Sequence, residues 1–356
     1  MKAVWLETTG SPLQIVDRPE PKASPDGVVV AVRAVRVPSY TRQVVDGTLG
    51  YDLPTPLVPG PACIGRIEQT GSNVFGLKVG QWVLCNSLLS SGDVSGSSDE
   101  ILIGWTGNGT ARSQEMQRAW RHGSFAEMAH YPETCLTPLL GAEAIDIARL
   151  PFLASLAIAA GGLDRGELSA GQTVIVNGAT GQLGSAAILF ALARGAARVV
   201  AVGRNADKLK SLAQRSRRIE SFVSSGERGR DAARLRELCG GGADLVADYL
   251  GRVPSPAMTL AAIDALKVGG TAVLVGGVRH DLGLPYSDLM RKQLTVRGSF
   301  MFSRETALEC WRLVQTGVID LASVQATCFR LDEIEKAMDD AAERGGFEIT
   351  VLLPTD

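Results

Sequence analysis

The sequence is poor in residues that hold metals or cross-link a chain. Its three histidines, His122, His130 and His280, show no H-E-x-x-H spacing, and none stands in metal-ligand register with a cysteine. The six cysteines, at 63, 85, 135, 239, 310 and 328, form no C-x-x-C and no tight cluster. That argues against a disulfide framework or a thiolate zinc site and leaves free, mostly buried thiols. No resident metal is expected. Long apolar runs are missing too: the longest weakly polar stretch, Leu150 to Leu163, falls short of the ~20 residues of a membrane span. The opening Met-Lys-Ala-Val-Trp-Leu-Glu lacks an extended apolar core and a small-residue cleavage site, so it reads as a first strand and a cytoplasmic location is expected. Charge of one sign is also lacking. The 36 Lys and Arg against 38 Asp and Glu leave a net charge of −2 with no charged tail, so neither nucleic acid nor a membrane is expected as a partner. Arg215, Arg217 and Arg218 cluster, but with Glu220 and Glu227 nearby and no interleaved aromatics they read as a solvated face.

What is present is an ordinary globular composition with extra glycine. Hydrophobic residues make up 45% and charged residues 21% of 356 positions, a length that suggests two domains. Glycine is 40 of 356, about 11% against a usual ~7%, as expected where turns are many or backbone approaches a ligand closely.

The first 85 residues alternate short β-branched runs (Ala3 to Leu6, Leu13 to Val16, Gly27 to Val37, Cys63 to Glu68, Trp82 to Leu84) with turn signals, which predicts a small barrel or sandwich. Residues 87–109 are rich in Ser, Gly and Asp and read as a long loop bordering a site. From Leu150 the pattern changes to alternating strands and helices: strands at Thr173 to Asn177, Arg198 to Val202, Ala243 to Asp248 and Thr271 to Val275, with helices at Gln182 to Arg194, Arg230 to Leu238 and Pro256 to Leu266. Strand, helix, strand in that order implies a doubly wound parallel sheet of about six strands. Two further helices, Glu305 to Thr316 and Asp332 to Arg344, carry apolar residues at helical spacing.

The chemistry is concentrated at Gly178-Ala179-Thr180-Gly181-Gln182-Leu183-Gly184, between a buried-type strand and a helix. Small residues there let backbone approach a pyrophosphate, and the helix start offers N–H groups and a positive dipole end. In NAD-binding turns an acid about 20 residues on holds the ribose hydroxyl. Counting 204 − 184 gives 20, and the residues there are Gly203-Arg204-Asn205. With no carboxylate to repel a 2′-phosphate, Arg204 to grip one and Lys208 one helical turn on, NADP(H) is expected over NAD.

Taken together, these features resemble the medium-chain dehydrogenase/reductase superfamily over nearly the whole chain. The resemblance rests on Asp26-Gly27 to Val35, on Pro59-Gly60 followed by Gly65, on Gly71 to Gly80, on Gly123-Ser-Phe-Ala-Glu127 as a G-x-F-A-E element, and on the order of these before the nucleotide turn. It implies an α/β chain with a GroES-like domain from both ends (1–149 and 300–356), a Rossmann domain between (150–299), a cleft where they meet, and a homodimer. The zinc-dependent members' G-I-C-G is here Arg36-Val37-Pro38-Ser39, their G-H-E is Gly60-Pro61-Ala62, and their third ligand region reads Leu150-Pro151-Phe152. Those side chains cannot ligate zinc, so the chain resembles the zinc-free quinone oxidoreductase and enoyl reductase branch. It departs from that branch as well, with Pro38-Ser39-Tyr40-Thr41 in place of N-x-x-D. On the cofactor side the resemblance implies contacts from Tyr249, Val275, Gly276 and Ser299. On the substrate side, Tyr40 and Tyr51 are the candidate donors to a developing oxyanion. Trp105 and His122 are weaker candidates, each more simply a packed side chain.

The expected activity is hydride transfer from NADPH to an activated C=C or C=O in a small molecule, where the substrate's own π system spreads the charge that zinc would otherwise stabilise. The alternative is a catalytically silent nucleotide-binding protein of the same fold. A short-chain dehydrogenase is set aside, since 177 residues precede the glycine turn and no Y-x-x-x-K occurs.

Overall fold

The computed structural model describes residues 1–93 and 98–355. The chain begins β1 (Lys2–Trp5), β2 (Gln14–Asp17), β3 (Gly27–Val37), α1 (Thr41–Val45), β4 (Cys63–Thr70), β5 (Trp82–Cys85), β6 (Leu88–Ser90), β7 (Glu100–Leu102), α2 (Ala111–Ala119), β8 (Met128–Pro132) and β9 (Leu136–Pro138). It continues α3 (Phe152–Arg165), β10 (Thr173–Asn177), α4 (Gln182–Ala193), β11 (Arg198–Gly203), α5 (Ala206–Ala213), β12 (Ile219–Val223), α6 (Arg228–Leu238), β13 (Ala243–Asp248), α7 (Ala257–Asp264) and β14 (Leu266–Leu274). Last come α8 (Tyr286–Lys292), β15 (Thr295–Gly298), α9 (Arg304–Gln315), β16 (Gln325–Arg330), α10 (Ile334–Glu343) and β17 (Glu348–Leu353). Two compact units result: residues 1–154 with 321–344 and 348–356, and residues 155–320 with 345–347. The unit boundaries therefore fall at 154/155 and 320/321, where the sequence reading puts them at 149/150 and 299/300.

The first unit is built on a seven-stranded sheet in the order β16-β17-β3-β4-β5-β9, with β8 also pairing β3. Its long strand β3, GVVVAVRAVRV, has every residue but Arg33 buried, and irregularities in its register with β4 bend it. The chain's end returns to this unit: β17 runs antiparallel to β3, and α10 buries Ile334, Ala337, Met338 and Ala341 at i, i+3, i+4 and i+7. Arg42 of α1 pairs with Glu335 and Asp339 of α10 at 2.9 and 2.6 Å. Residues 87–109 are not the uninterrupted loop that their Ser, Gly and Asp content predicts. β6 and β7 pair as a short antiparallel ladder in which the apolar pairs Leu88–Leu102 and Leu89–Ile101 stand opposite each other. Residues 94–97 of that expected loop lie outside the described residues.

The second unit is a parallel six-stranded sheet in the order β12-β11-β10-β13-β14-β15. β10, TVIVN, carries three successive buried apolar residues, Val174 to Val176, as befits a mid-sheet strand with both faces covered. Around Ile175, Val200, Val246, Leu235 and Ile263 the strands and helices form one core. α4 is apolar on nearly all sides and buries seven residues, whereas α5 is amphipathic and buries only Leu209 and Leu212. β14 starts at Leu266, five residues before the predicted Thr271, because the segment assigned to the end of a helix turns into strand once α7 closes at Asp264. No helix among the described residues is long and apolar enough to cross a membrane. All six cysteines are free, and only Cys328 is exposed.

Candidate cofactor and substrate sites

The reversal of strand order between β10 and β13 opens a crevice at the strands' carboxyl ends, where open α/β sheets bind ligands. At the end of β10 the chain turns through Gly178, whose φ of +77° is a conformation L side chains rarely adopt. The turn is fixed from beneath: Ala179 N donates to Val202 O at 2.9 Å, Gly181 N to Gly178 O at 3.0 Å, and Ser185 Oγ to Ala179 O at 2.9 Å. Gly184 is needed for closeness, since a Cβ there would lie 2.2 Å from Gly178 O and 2.7 Å from Ala179 Cα, both backbone atoms. Gly181 caps α4, and Gln182, Leu183 and Gly184 form its first turn, at the positive end of the helix. This is a cradle of backbone donors at a positive helix end, and it fits a pyrophosphate.

The neighbouring strand ends complete an edge around it. Thr180 reaches Gly203 at the end of β11, where a Cβ would meet the threonine at 3.3 Å. Arg204 follows, exposed, and Asn205 caps α5 by accepting from Lys208 N at 2.9 Å. Lys208 is likewise exposed. On the other side, Gly178 packs on the backbone of Tyr249, and Val275 N and Gly276 N both donate to Asp248 O at 3.0 Å. Ser299 N donates to Leu274 O at 3.0 Å, which leaves its hydroxyl as the group it can offer a ligand. The Tyr249 phenol is committed elsewhere. It donates to Ala159 O at 2.7 Å and burial pushes its pKa well up, so only its backbone is available to a cofactor. A cavity of about 260 Å³ lies along this edge, beside Asp248, Leu274 and Gly276. Burial raises the Asp248 carboxyl, against hydrogen bonds from Leu250 N at 2.9 Å and Asn177 Nδ2 at 3.0 Å. The sequence positions 178–184, 203–208, 249, 275–276 and 299 are thus brought to one sheet edge.

In the first unit, Tyr40 immediately precedes α1 and is 37% exposed. Its ring meets Trp105 edge-on at 6.4 Å, and Trp105 packs on Phe125 at 6.3 Å. Trp105, at 2% exposure, is a core aromatic and not a cover for a flat substrate. Tyr51 is half-buried beside Asp52, whose backbone is held by Thr106 Oγ1, Gly107 N and Gln117 Nε2. His122 is a satisfied interior residue: Nδ1 accepts from Val58 N at 3.1 Å, and burial pulls its pKa down to about 4. Sequence reasoning missed Arg36. Its guanidinium sits at the end of β3 at 8% exposure, with burial lowering its pKa and the nearby Tyr40 opposing that shift. It read as a strand residue because its neighbours are valines, and only its position two residues before Pro38 carried a hint.

Residues 24–141 match the alcohol dehydrogenase GroES-like domain, and residues 183–316 match the zinc-binding dehydrogenase family. A probable zinc-binding alcohol dehydrogenase of Mycobacterium tuberculosis is 28% identical, covering 100% of this chain and 89% of the relative. An acryloyl-coenzyme A reductase of Sulfurisphaera tokodaii is also 28% identical, over 90% of each. A structure from Sinorhizobium meliloti 1021 bound to NADP superposes with a TM-score of 0.79 at 21% identity, over 99% of both chains. The two family matches thus lie in order along a chain that both relatives match over nine tenths or more of its length. The chain belongs to the medium-chain dehydrogenase/reductase superfamily.

Proposed function

We propose that this chain is a zinc-independent, NADPH-dependent reductase acting on an activated C=C or C=O, such as a quinone, an enone or an enoyl thioester. The observation that carries the reading is the backbone cradle at Gly178 to Gly184 with the exposed Arg204 beside it. Arg204 stands where an NAD-type site would hold a carboxylate, and its guanidinium grips a phosphate through paired hydrogen bonds. Lys208 adds a second cation one turn along α5. A bound nicotinamide cofactor supplies the hydride; the chain's own part is to hold it and to stabilise the charge that develops on the substrate.

Zinc does not fit this chain. Pro38, Pro61, Ala62 and Phe152 stand where zinc-dependent members carry ligands, and none has a ligating atom. Among the described residues no group of three or more His, Cys, Asp or Glu is arranged to hold a metal. The oxyanion is therefore left to hydrogen-bond donors. Tyr40 is favoured over the half-buried Tyr51 because it is exposed and lies beside Arg36, whose fixed positive charge supports negative charge on a neighbouring oxygen. That the acryloyl-coenzyme A reductase is a relative supports an enoyl-type acceptor. A homodimer is supported by the edge strand β15, by α8, none of whose residues is buried, and by Tyr286 and Phe300 at 82% and 59% exposure.

The test is loss of reduced-nicotinamide absorbance with NADPH and a panel of quinones, enones, enoyl thioesters and aldehydes, before and after chelator treatment. Turnover of one of these classes that survives the chelator is expected. Silence across the panel despite tight NADPH binding would favour a non-catalytic role, and activity abolished by the chelator and restored by zinc would contradict the proposal.

A further inference from the structure

The end of β12, next to Arg204's turn, is held by a buried acid that no part of the glycine pattern requires. Asp231, in the first turn of α6, is 2% exposed. Its Oδ2 accepts from Ser224 Oγ at 2.5 Å and from Gly226 N at 3.2 Å, while its Oδ1 accepts from Ser225 N at 3.0 Å and Ser225 Oγ at 2.6 Å. These bonds stabilise the ionised form and hold its pKa below the usual carboxylate range despite burial. Four donors from three successive residues fix one loop conformation, including Gly226 at a φ of +79°. The loop is joined in turn to the neighbouring strand end: Ser224 N donates to Gly203 O at 2.9 Å, one residue before Arg204.

We infer that Asp231 is a positioning residue for cofactor selection, fastening the Ser224 to Gly226 loop so that this loop and Arg204 together form the pocket for the 2′-phosphate of NADPH. A free carboxylate near that pocket would repel the phosphate. Here its oxygens are taken up by loop hydroxyls and amides, so the residue orders the wall while its charge is locally compensated. An asparagine is nearly the same size but replaces one acceptor oxygen with a donor, so it cannot accept all four bonds. The inference rests on the NADPH reading above.

The experiment is calorimetric titration of the full chain with adenosine 2′,5′-bisphosphate and with adenosine 5′-monophosphate, which differ only in the 2′-phosphate. The wild type is expected to prefer the bisphosphate by at least about tenfold. Asp231→Asn is expected to lose most of that preference with monophosphate affinity kept within about twofold, and Ser225→Ala, which removes one of the four bonds to Asp231 together with the longer one that Ser225 Oγ accepts from Glu227 N at 3.3 Å, to lose about threefold of it. A preference unchanged in a folded Asp231→Asn, or an equal loss for both ligands, overturns the inference. Should Asp231→Asn fail to fold, Ser225→Ala decides by the same ratio. A wild type that binds both probes equally overturns the NADPH reading itself, and this inference with it.

Discussion

The two turns that follow a buried strand, after β10 and after β3, are made on opposite principles. The turn at Gly178 to Gly184 is built from backbone: its close approaches are to carbonyls and Cα atoms, and its polar groups are main-chain N–H. The turn at Pro38 to Thr41 is built around side chains, with Tyr40 against Trp105 and a buried arginine behind it. A site made of backbone tolerates little change at its close approaches, because a Cβ at Gly184 collides with main-chain atoms. A site made of side chains tolerates many arrangements and changes chemistry when one is exchanged. One unit thus holds a site fixed by backbone packing, and the other holds one set by side chains.

The largest effect is expected at the backbone site. Gly184→Val places carbon atoms against Gly178 O and Ala179 Cα, so the turn must open. NADPH affinity is expected to fall by more than about 100-fold and stability by about 1–3 kcal/mol, read by titration and by chemical denaturation. Retained binding would break the distinction between the two turns. Next comes the side-chain turn: Tyr40→Phe is expected to lower kcat by about 100-fold with little change in NADPH affinity, and Tyr51→Phe by less than threefold, in steady-state assays. Equal effects of the two would remove Tyr40 from its proposed role. Arg204→Ala is expected to cut the preference for NADPH over NADH by about tenfold or more and leave the fold intact, as measured by titration with each.

The smallest effect concerns stability of the first unit alone. The folded pKa of His122, about 4, lies below its ordinary 6.5, so the unfolded chain binds the extra proton first. The contribution is fully present above pH 6.5 and is lost as pH falls towards 4. It amounts to about 1–2 kcal/mol once the partial exposure of the ring is allowed for. His122→Gln should flatten the denaturation midpoint between pH 4 and 6.5, and an unchanged slope would sink this assignment.

How much of this was legible follows from the same contrast. β3, β10 and β13 stand at their predicted bounds because short runs, valine-rich in β3 and β10 and apolar at the centre of β13, are set off by glycine, asparagine or aspartate signals. The glycine turn was legible for the same reason, since only glycine fits where a Cβ would meet backbone. β6 and β7 were hidden because each is three residues long, too short for alternation to show in a segment full of serine and glycine. Asp231 was hidden because its partners at 224–226 are serines and a glycine of ordinary loop type, and nothing local marks an acid as buried. The packing of Trp105 depends on Tyr40 and Phe125, both distant from it in sequence, which no spacing rule encodes.

The central claim is that the cradle at Gly178 to Gly184, with Arg204 beside it, holds NADPH. Titration calorimetry of the wild-type chain with NADPH and NADH under one buffer condition tests it most directly. NADPH is expected to bind 1:1 and at least about tenfold tighter than NADH. Equal affinities, tighter NADH, or no binding of either would contradict it.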